Sequence, residues 1–350
     1  MSCCKDLTQG ARSTANTKLG RRAVLKGMIG AAAGLSLAGI GIAQGTRVRL
    51  AFCSQLLCVV PYEFTRASGF FAEEGLDVEL VYTRGGNAAM QALVGGAVEY
   101  AATSFDVALQ AFVNGAPIER FATTGRLPLF ALATSPQAAD AATEIAHLRG
   151  ATVGVSALGN ADHVLLLYLL ERAGVDTEGV RYATLGPNLY DALRLGQIEA
   201  GMVQEPALSL LQEEGGRVLF NAMELADAEQ VLGGPYEFMG VAVRSAEKEA
   251  RLDEMRRLAH ALEKGLLALQ EASVSELVAA LPDELVAGGD VQRLEDILGR
   301  YRRSLYPDTV TIDPAASERV QASQLVAGVL EEPIDLERLL ALDVLESVQP

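Results

Sequence analysis

The sequence predicts an α/β protein of two similar lobes, and three observations carry that reading. A phrase occurs twice, 100 residues apart: residues 92 to 99 read Ala-Leu-Val-Gly-Gly-Ala-Val-Glu, and residues 192 to 199 read Ala-Leu-Arg-Leu-Gly-Gln-Ile-Glu. In each copy an apolar helix-like stretch ends at a glycine, Gly96 or Gly196, and Val98 or Ile198 begins a β-branched run, which is a helix C-cap feeding a strand. The same junction is common in α/β proteins at large. Second, strand-like and helix-like segments alternate from residue 46 to 243, which implies a mostly parallel sheet with helices on both faces. Third, the strand signals fade after Val243 and give way to long amphipathic helices, a helical C-terminal region.

The elements follow in order. Residues 46 to 53 alternate as a first strand and 76 to 83 as a second, with a helix from Tyr62 to Glu74 between them that stops at Gly75. Helices at 87 to 95 and 105 to 114 bracket a strand at 98 to 102, and residues 118 to 124 and 129 to 134 read as extended. The stretch 135 to 143 reads as a surface connection. A second α/β set follows: strand 151 to 156, helix 161 to 173, strand 180 to 184, helix 188 to 195, strand 198 to 203, helix 206 to 213 and strand 217 to 220. Helical patterning then covers 247 to 271, 291 to 301 and 314 to 329.

Residues 1 to 43 read as a targeting segment. Six basic residues and one acidic residue precede or flank an uncharged run from Gly27 to Ala43, and Gly41-Ile42-Ala43 offers small residues for a signal peptidase. The run is shorter and richer in glycine than a membrane span of about 20 apolar residues. Arg21 and Arg22 resemble the twin-arginine signal, with Gly20 standing where Ser or Thr is common, and no lipid-acceptor cysteine follows Leu37-Ala38-Gly39. The expectation is a periplasmic or secreted protein starting at Gln44.

With 350 residues and 50% hydrophobic content, the chain can bury a full core. Its net charge of −16 falls to −21 without the leader, and no basic stripe relieves it, which excludes a nucleic-acid surface. Three His and four Cys leave little for a metal centre, and no cofactor is expected. Cys53 and Cys58 read either as a disulfide or as small buried thiols.

Residues 62 to 78 carry the phrase Ala67-x-Gly69-Phe70-Phe71-x-x-Glu74-Gly75-Leu76-x-Val78, which resembles the start of ABC-transporter substrate-binding proteins of the nitrate, sulfonate, taurine and thiamine-pyrimidine branch. Residues 147 to 155, 169 to 175 and 192 to 206 are also similar to that family. The resemblance implies a type II-like periplasmic-binding-protein fold: two lobes joined by two hinge crossings, closing over a ligand. Lobe one would be 44 to 132 plus 240 to 350, lobe two 133 to 239, with crossings near Phe130 to Thr134 and Phe238 to Val243. It implies a monomer that hands a small molecule to an ABC permease in the inner membrane.

On that arrangement the cleft is lined by strand ends and helix N-termini, whose free N–H groups suit acidic ligands. The candidates are Ser54 and Gln55, Gly86 and Asn87, Thr103, Ser104 and Asp106, Ser156 and Asn160, and Gln204 and Glu205. The segments 103 to 106 and 204 to 206 should oppose one another. Ser104 and Asn160 read equally as helix caps, Asp106 as a first-turn acid and Glu205 as turn chemistry. Arg84 and Arg126 would pair an anion bidentately or lie on the surface, and Tyr62 would stack on a ring or belong to the core.

Arginines and helix N-termini favour a small organic anion, Glu205 and Asp106 an amine or aminopyrimidine, and a zwitterion such as an aminosulfonate satisfies both. The rivals are a thiamine-pyrimidine-precursor binder or synthase-like enzyme of the same fold, with His163 its one plausible base, and a periplasmic sensor partner. A LysR-type effector domain would need a DNA-binding segment that residues 1 to 43 do not supply.

Overall fold

The computed structural model describes residues 45–286 and 290–346, so the leader expected at 1–43 lies outside the described residues. β1 (Thr46–Cys53) carries Val48, Leu50 and Phe52, all wholly buried. α1 spans Leu56–Ala67, beginning six residues before the expected helix. Pro61 in its middle hides that start, because proline lacks the N–H that would bond the carbonyl of Leu57. The structure supplies another donor: the Tyr306 hydroxyl reaches the Leu57 carbonyl at 2.8 Å. Residues 56–65 are buried all round, as a helix enclosed in a core must be. Gly69, at φ +82, breaks the expected single helix into α1 and a short α2 (Phe70–Glu73). β2 (Leu76–Thr83) then pairs parallel with β1.

The chain continues through α3 (Gly86–Val94), β3 (Tyr100–Ser104), α4 (Phe105–Val113), β4 (Ile118–Thr123) and β5 (Ala131–Thr134). β6 (Thr152–Val155), α5 (Ala161–Arg172), β7 (Arg181–Thr184), α6 (Leu189–Arg194), β8 (Ala200–Val203), α7 (Ala207–Glu213) and β9 (Val218–Asn221) follow. Next come α8 (Leu225–Val231) and β10 (Met239–Arg244), and then α9 (Leu252–Glu271), α10 (Val274–Ala279) and α11 (Asp283–Val286). α12 (Val291–Leu305), α13 (Pro314–Val326) and α14 (Asp343–Glu346) complete the described elements. The helices the sequence does not announce, α8, α10, α11 and α14, have seven residues or fewer, too few to show a helical period.

The echoed phrase marks equivalent junctions. Gly96 (φ +75) and Gly196 (φ +67) both lie one residue past a helix cap. The Ala97 N–H reaches the Ala92 carbonyl at 2.8 Å, and the Gln197 N–H reaches the Ala192 carbonyl at 2.9 Å, the bonds of a Schellman motif. These turns, with the buried Val98 and Ile198, delay the strands to Tyr100 and Ala200.

Both sheets have five strands, ordered β2-β1-β3-β10-β4 and β7-β6-β8-β5-β9. Matched position by position, each has parallel strands flanking β1 or β6 and an antiparallel strand in fourth place. Four strands of each sheet thus run the same way, as the mostly parallel expectation has it, and β10 or β5 alone is reversed. β5 follows directly on the passage out of the first sheet's strands, and β10 on the passage back, so each sheet is completed by a strand that has just crossed. Phe130 and Phe238, one at each crossing, meet edge to face at 5.9 Å. α9 packs against α1 and α2, while α13 lies against both α4 and α5.

A buried ion pair fixes the second crossing. Arg120 on β4 is fully buried, donating to Glu237 at 2.9 Å and to the carbonyls of Thr103 at 3.0 Å and Phe238 at 2.7 Å. Gly240 leaves it room: a Cβ there would lie 2.4 Å from an Arg120 nitrogen.

Candidate functional site

Between the two sheets lies a cavity of about 360 Å³, adjoined by a smaller one of about 50 Å³. Gln55, Phe130, Ser156, Asp162 and Gln204 line both, so the two form one cleft. Its volume suits a small molecule, at the low end of about 300–1,000 Å³ for ligand pockets. The walls are built as an open α/β sheet builds them, from turns beyond the strand ends. β1 delivers Gln55, β3 delivers Thr103 and Ser104, β6 delivers Ser156, and β8 delivers Gln204 and Glu205. A disulfide joins Cys53 to Cys58 across the turn that carries Gln55, settling the choice that the spacing leaves open.

Eight of the candidate residues line this cleft: Gln55, Gly86, Thr103, Ser104, Ser156, Asn160, Gln204 and Glu205. Thr103, Ser104 and Gln204 face the same smaller cavity, so the unlike residues after the two echoes do meet. Ser104 also caps α4, its Oγ accepting the Val107 N–H at 3.3 Å, whereas Asn160 makes no capping bond. Asn87 lines neither cavity; its Nδ2 donates to Asn160 Oδ1 at 2.5 Å.

Five candidates are placed elsewhere. Ser54 is exposed and donates its N–H to the Thr83 carbonyl. Tyr62 belongs to the core, its hydroxyl 2.7 Å from Thr124 Oγ1 and its ring 4.9 Å from Phe52. Arg84 is exposed and outside both linings. Arg126 donates to the carbonyls of Ser304 and Arg303 at the end of α12, its chain drawn to a helix C-terminus instead of a ligand. Asp106 turns away from the cleft to accept from Tyr236 at 2.9 Å, with Gln324 of α13 donating to its backbone carbonyl at 3.2 Å.

Burial pushes the Asp106 carboxyl up to about 6, with Tyr236 and Gln324 pulling it back. Raised above the unfolded value of about 3.9, it makes the folded state the tighter proton binder between these limits. Stability should therefore fall as pH rises from about 4 to about 6, by about 3 kcal/mol at most from this group. Urea midpoints across that range should show a shallower fall in Asp106→Asn, which keeps an oxygen for Tyr236; an unchanged slope would rule the carboxyl out.

The carboxylates of the cleft are Asp162, Glu205 and Glu284. Asp162 is 1% exposed and accepts from the Ser156 N–H at 2.5 Å and the Ser156 hydroxyl at 2.7 Å. Glu205, 4% exposed and joined to Pro206 by a cis peptide, accepts from the N–H and hydroxyl of Ser209, each at 3.0 Å. Burial pushes both carboxyls up and the serine bonds pull them down. Arg300 also draws Glu205 down, but its guanidinium is engaged by Glu224 at 2.7 Å. Among the described residues, none lining either cavity is Lys or Arg.

His163 accepts the Gly159 N–H at Nδ1 over 3.2 Å, and burial pulls its pKa down, keeping the ring neutral in that role. Asp162 ends the segment 156 to 162 that the sequence directs to the cleft, whereas Glu284 lies on a helix too short to be foreseen. Tyr190 of α6 joins the wall with no signal beyond its place just before the second echo.

The geometry agrees with the comparisons. A sequence model described as NMT1/THI5 like matches residues 60–272, more than half of the chain. None of the curated proteins matches the chain in sequence. A Bordetella bronchiseptica protein of solved structure is 22% identical, with a TM-score of 0.76 over 86% of this chain and 96% of its own. The periplasmic nitrate-binding protein NrtA of Synechocystis is 14% identical, with a TM-score of 0.70 over 87% and 88%. The periplasmic aliphatic sulphonate binding protein SsuA of Escherichia coli is 15% identical, with a TM-score of 0.64 over 84% and 91%. With its two matched sheets, exchanged antiparallel strands and intervening cleft, the chain has the periplasmic-binding-protein fold and belongs to the NMT1/THI5-like family.

Proposed function

We propose that the protein is a non-enzymatic, extracytoplasmic solute-binding component of an ABC importer, presenting its ligand to a permease in the inner membrane. Residues 44 to 132 with 240 to 350 form one lobe in this reading and 133 to 239 the other. Similarity to the nitrate- and sulphonate-binding proteins and the export-like leader support it.

The solute is a small amine or zwitterion, and the observation that carries this is the cleft's carboxylate lining, with no basic side chain among the described residues. Two like charges about 5 Å apart repel by about 3 kcal/mol at an effective dielectric near 20. A helix N-terminus returns only about half a charge. A bare anion is therefore disfavoured in the larger cavity. The smaller cavity shares Asp162 but not Glu205 or Glu284, and it includes Gly85 and Gly86 at the start of α3, a nine-residue helix with no acid in its first turn. A zwitterion would lay its anionic group toward the start of α3 and its ammonium beside Glu205. An aminopyrimidine is the second reading, favoured by the same acceptors and by the Phe130, Phe238 and Tyr190 rings in the walls.

Thermal shift against taurine, ethanesulfonate, nitrate and 4-amino-2-methylpyrimidine tests this, since a ligand bound only by the native state raises the melting temperature. Taurine or the aminopyrimidine should raise it where ethanesulfonate, which lacks only the amine of taurine, does not. A larger shift with ethanesulfonate or nitrate would overturn the amine reading, and turnover of the bound compound would overturn the binding-protein reading.

A further inference from the structure

Asn87 reaches across the cleft. It stands in the first turn of α3, flanking the first sheet, while Asn160 lies between β6 and α5 of the second. The bond between them belongs to a directed chain that ends on a buried carboxylate. Asn87 Nδ2 donates to Asn160 Oδ1 at 2.5 Å, Asn160 Nδ2 donates to Ser156 Oγ at 3.0 Å, and that hydroxyl donates to Asp162 Oδ1 at 2.7 Å. Each donor in such a series polarises the next. With the Ser156 hydroxyl hydrogen committed to a hydrogen bond to Asp162, its oxygen can only accept from Asn160, which turns the Asn160 carbonyl toward Asn87.

At two other points of the same seam a glycine of one side comes close to a side chain of the other. A Cβ on Gly85 would lie 3.9 Å from Asn160 Nδ2, and one on Gly159 would lie 3.8 Å from Gln110 Oε1 of α4. Asn160, Ser156 and Asp162 line the cleft, whereas Asn87 does not.

We infer that Asn87 is a closure latch and not a ligand contact: it holds the two lobes together by capturing an Asn160 that Asp162 has oriented through Ser156. The inference rests on the cleft being the solute site. Asn87 thereby becomes a positioning residue. Its partners face solute while it stabilises the closed form, so a solute group that settles on Ser156 or Asp162 acts on the same chain that sets closure. A binding-competent closed state that is less populated weakens apparent affinity in proportion.

Small-angle scattering from the ligand-free full-length protein tests this without reference to any solute, so its failure is separate from failure of the ligand assignment. Asn87→Ala should shift the closed-to-open ratio about fivefold toward open, the worth of one net hydrogen bond, and raise the radius of gyration. Its melting temperature should stay near the wild-type value, because the half-buried Asn87 packs no core. Asn160→Ala should open the protein equally, and the double variant no further, since both remove one bond. An Asn87→Ala protein as compact as wild type, or single effects that add in the double variant, would overturn the latch.

Discussion

Arg120→Met should lower folding stability by about 3–5 kcal/mol, the cost of stranding one partner of a buried ion pair. Arg120 is wholly buried and Glu237 is 2% exposed. Burial pulls the guanidinium down and pushes the carboxyl up, and each partner offsets the penalty on the other. Methionine fills much of the volume but leaves Glu237 to take a proton or stay charged without a partner. It also removes the donor to the Thr103 carbonyl, although the Phe238 carbonyl keeps the Phe105 N–H at 2.8 Å. Against a usual total of about 5–15 kcal/mol, such a loss is a large fraction. A urea titration should show the midpoint fall, and a second change, Glu237→Leu, should recover about half of the loss because the orphaned charge is gone while the Arg120 bonds to the Thr103 and Phe238 carbonyls stay lost. A single variant within about 1 kcal/mol of wild type would mean that the pair contributes little beyond its own desolvation.

The same residue shows where sequence reading stops. Strands β1 and β2 were legible to the residue because alternation over eight positions carries its own period. The echoed turns were legible because a Schellman cap demands its glycine. Arg120 was not, because a lone arginine in a strand gives no sign that a glycine at 240 leaves space for it on the neighbouring strand. The start of α1 was masked by a proline whose missing bond is replaced by Tyr306, 245 positions later in the chain.

In the cleft, polar residues just after strands were good candidates, since topology alone sends them there. Charged ones were poor candidates. Asp106 and Arg126 each found a partner in the C-terminal helices, Gln324 of α13 for the one and the end of α12 for the other. The family phrases carry no period or spacing from which those contacts could be read. The anion expectation leaned on helix N-termini and on Arg84 and Arg126, and neither arginine lines the cleft.

Glu205→Gln should therefore change affinity with a sign that depends on the charge of the solute. Glu205 lies in the wall of the larger cavity, and its carboxylate is held to the start of α7 by the Ser209 N–H and hydroxyl. Glutamine keeps the shape and one acceptor oxygen while removing the charge. Because burial already opposes ionisation there, folding should lose little. An ammonium beside Glu205 would lose a charge-assisted bond, about 1.5–3 kcal/mol or roughly 10- to 100-fold in affinity. A bare anion would instead be relieved of repulsion and bind more tightly. Titration calorimetry at neutral pH, with the panel member that gives the largest thermal shift, decides the matter. Weaker binding by the variant places a positive group at Glu205, whereas tighter binding would show that the pocket accepts an anion in spite of its carboxylates.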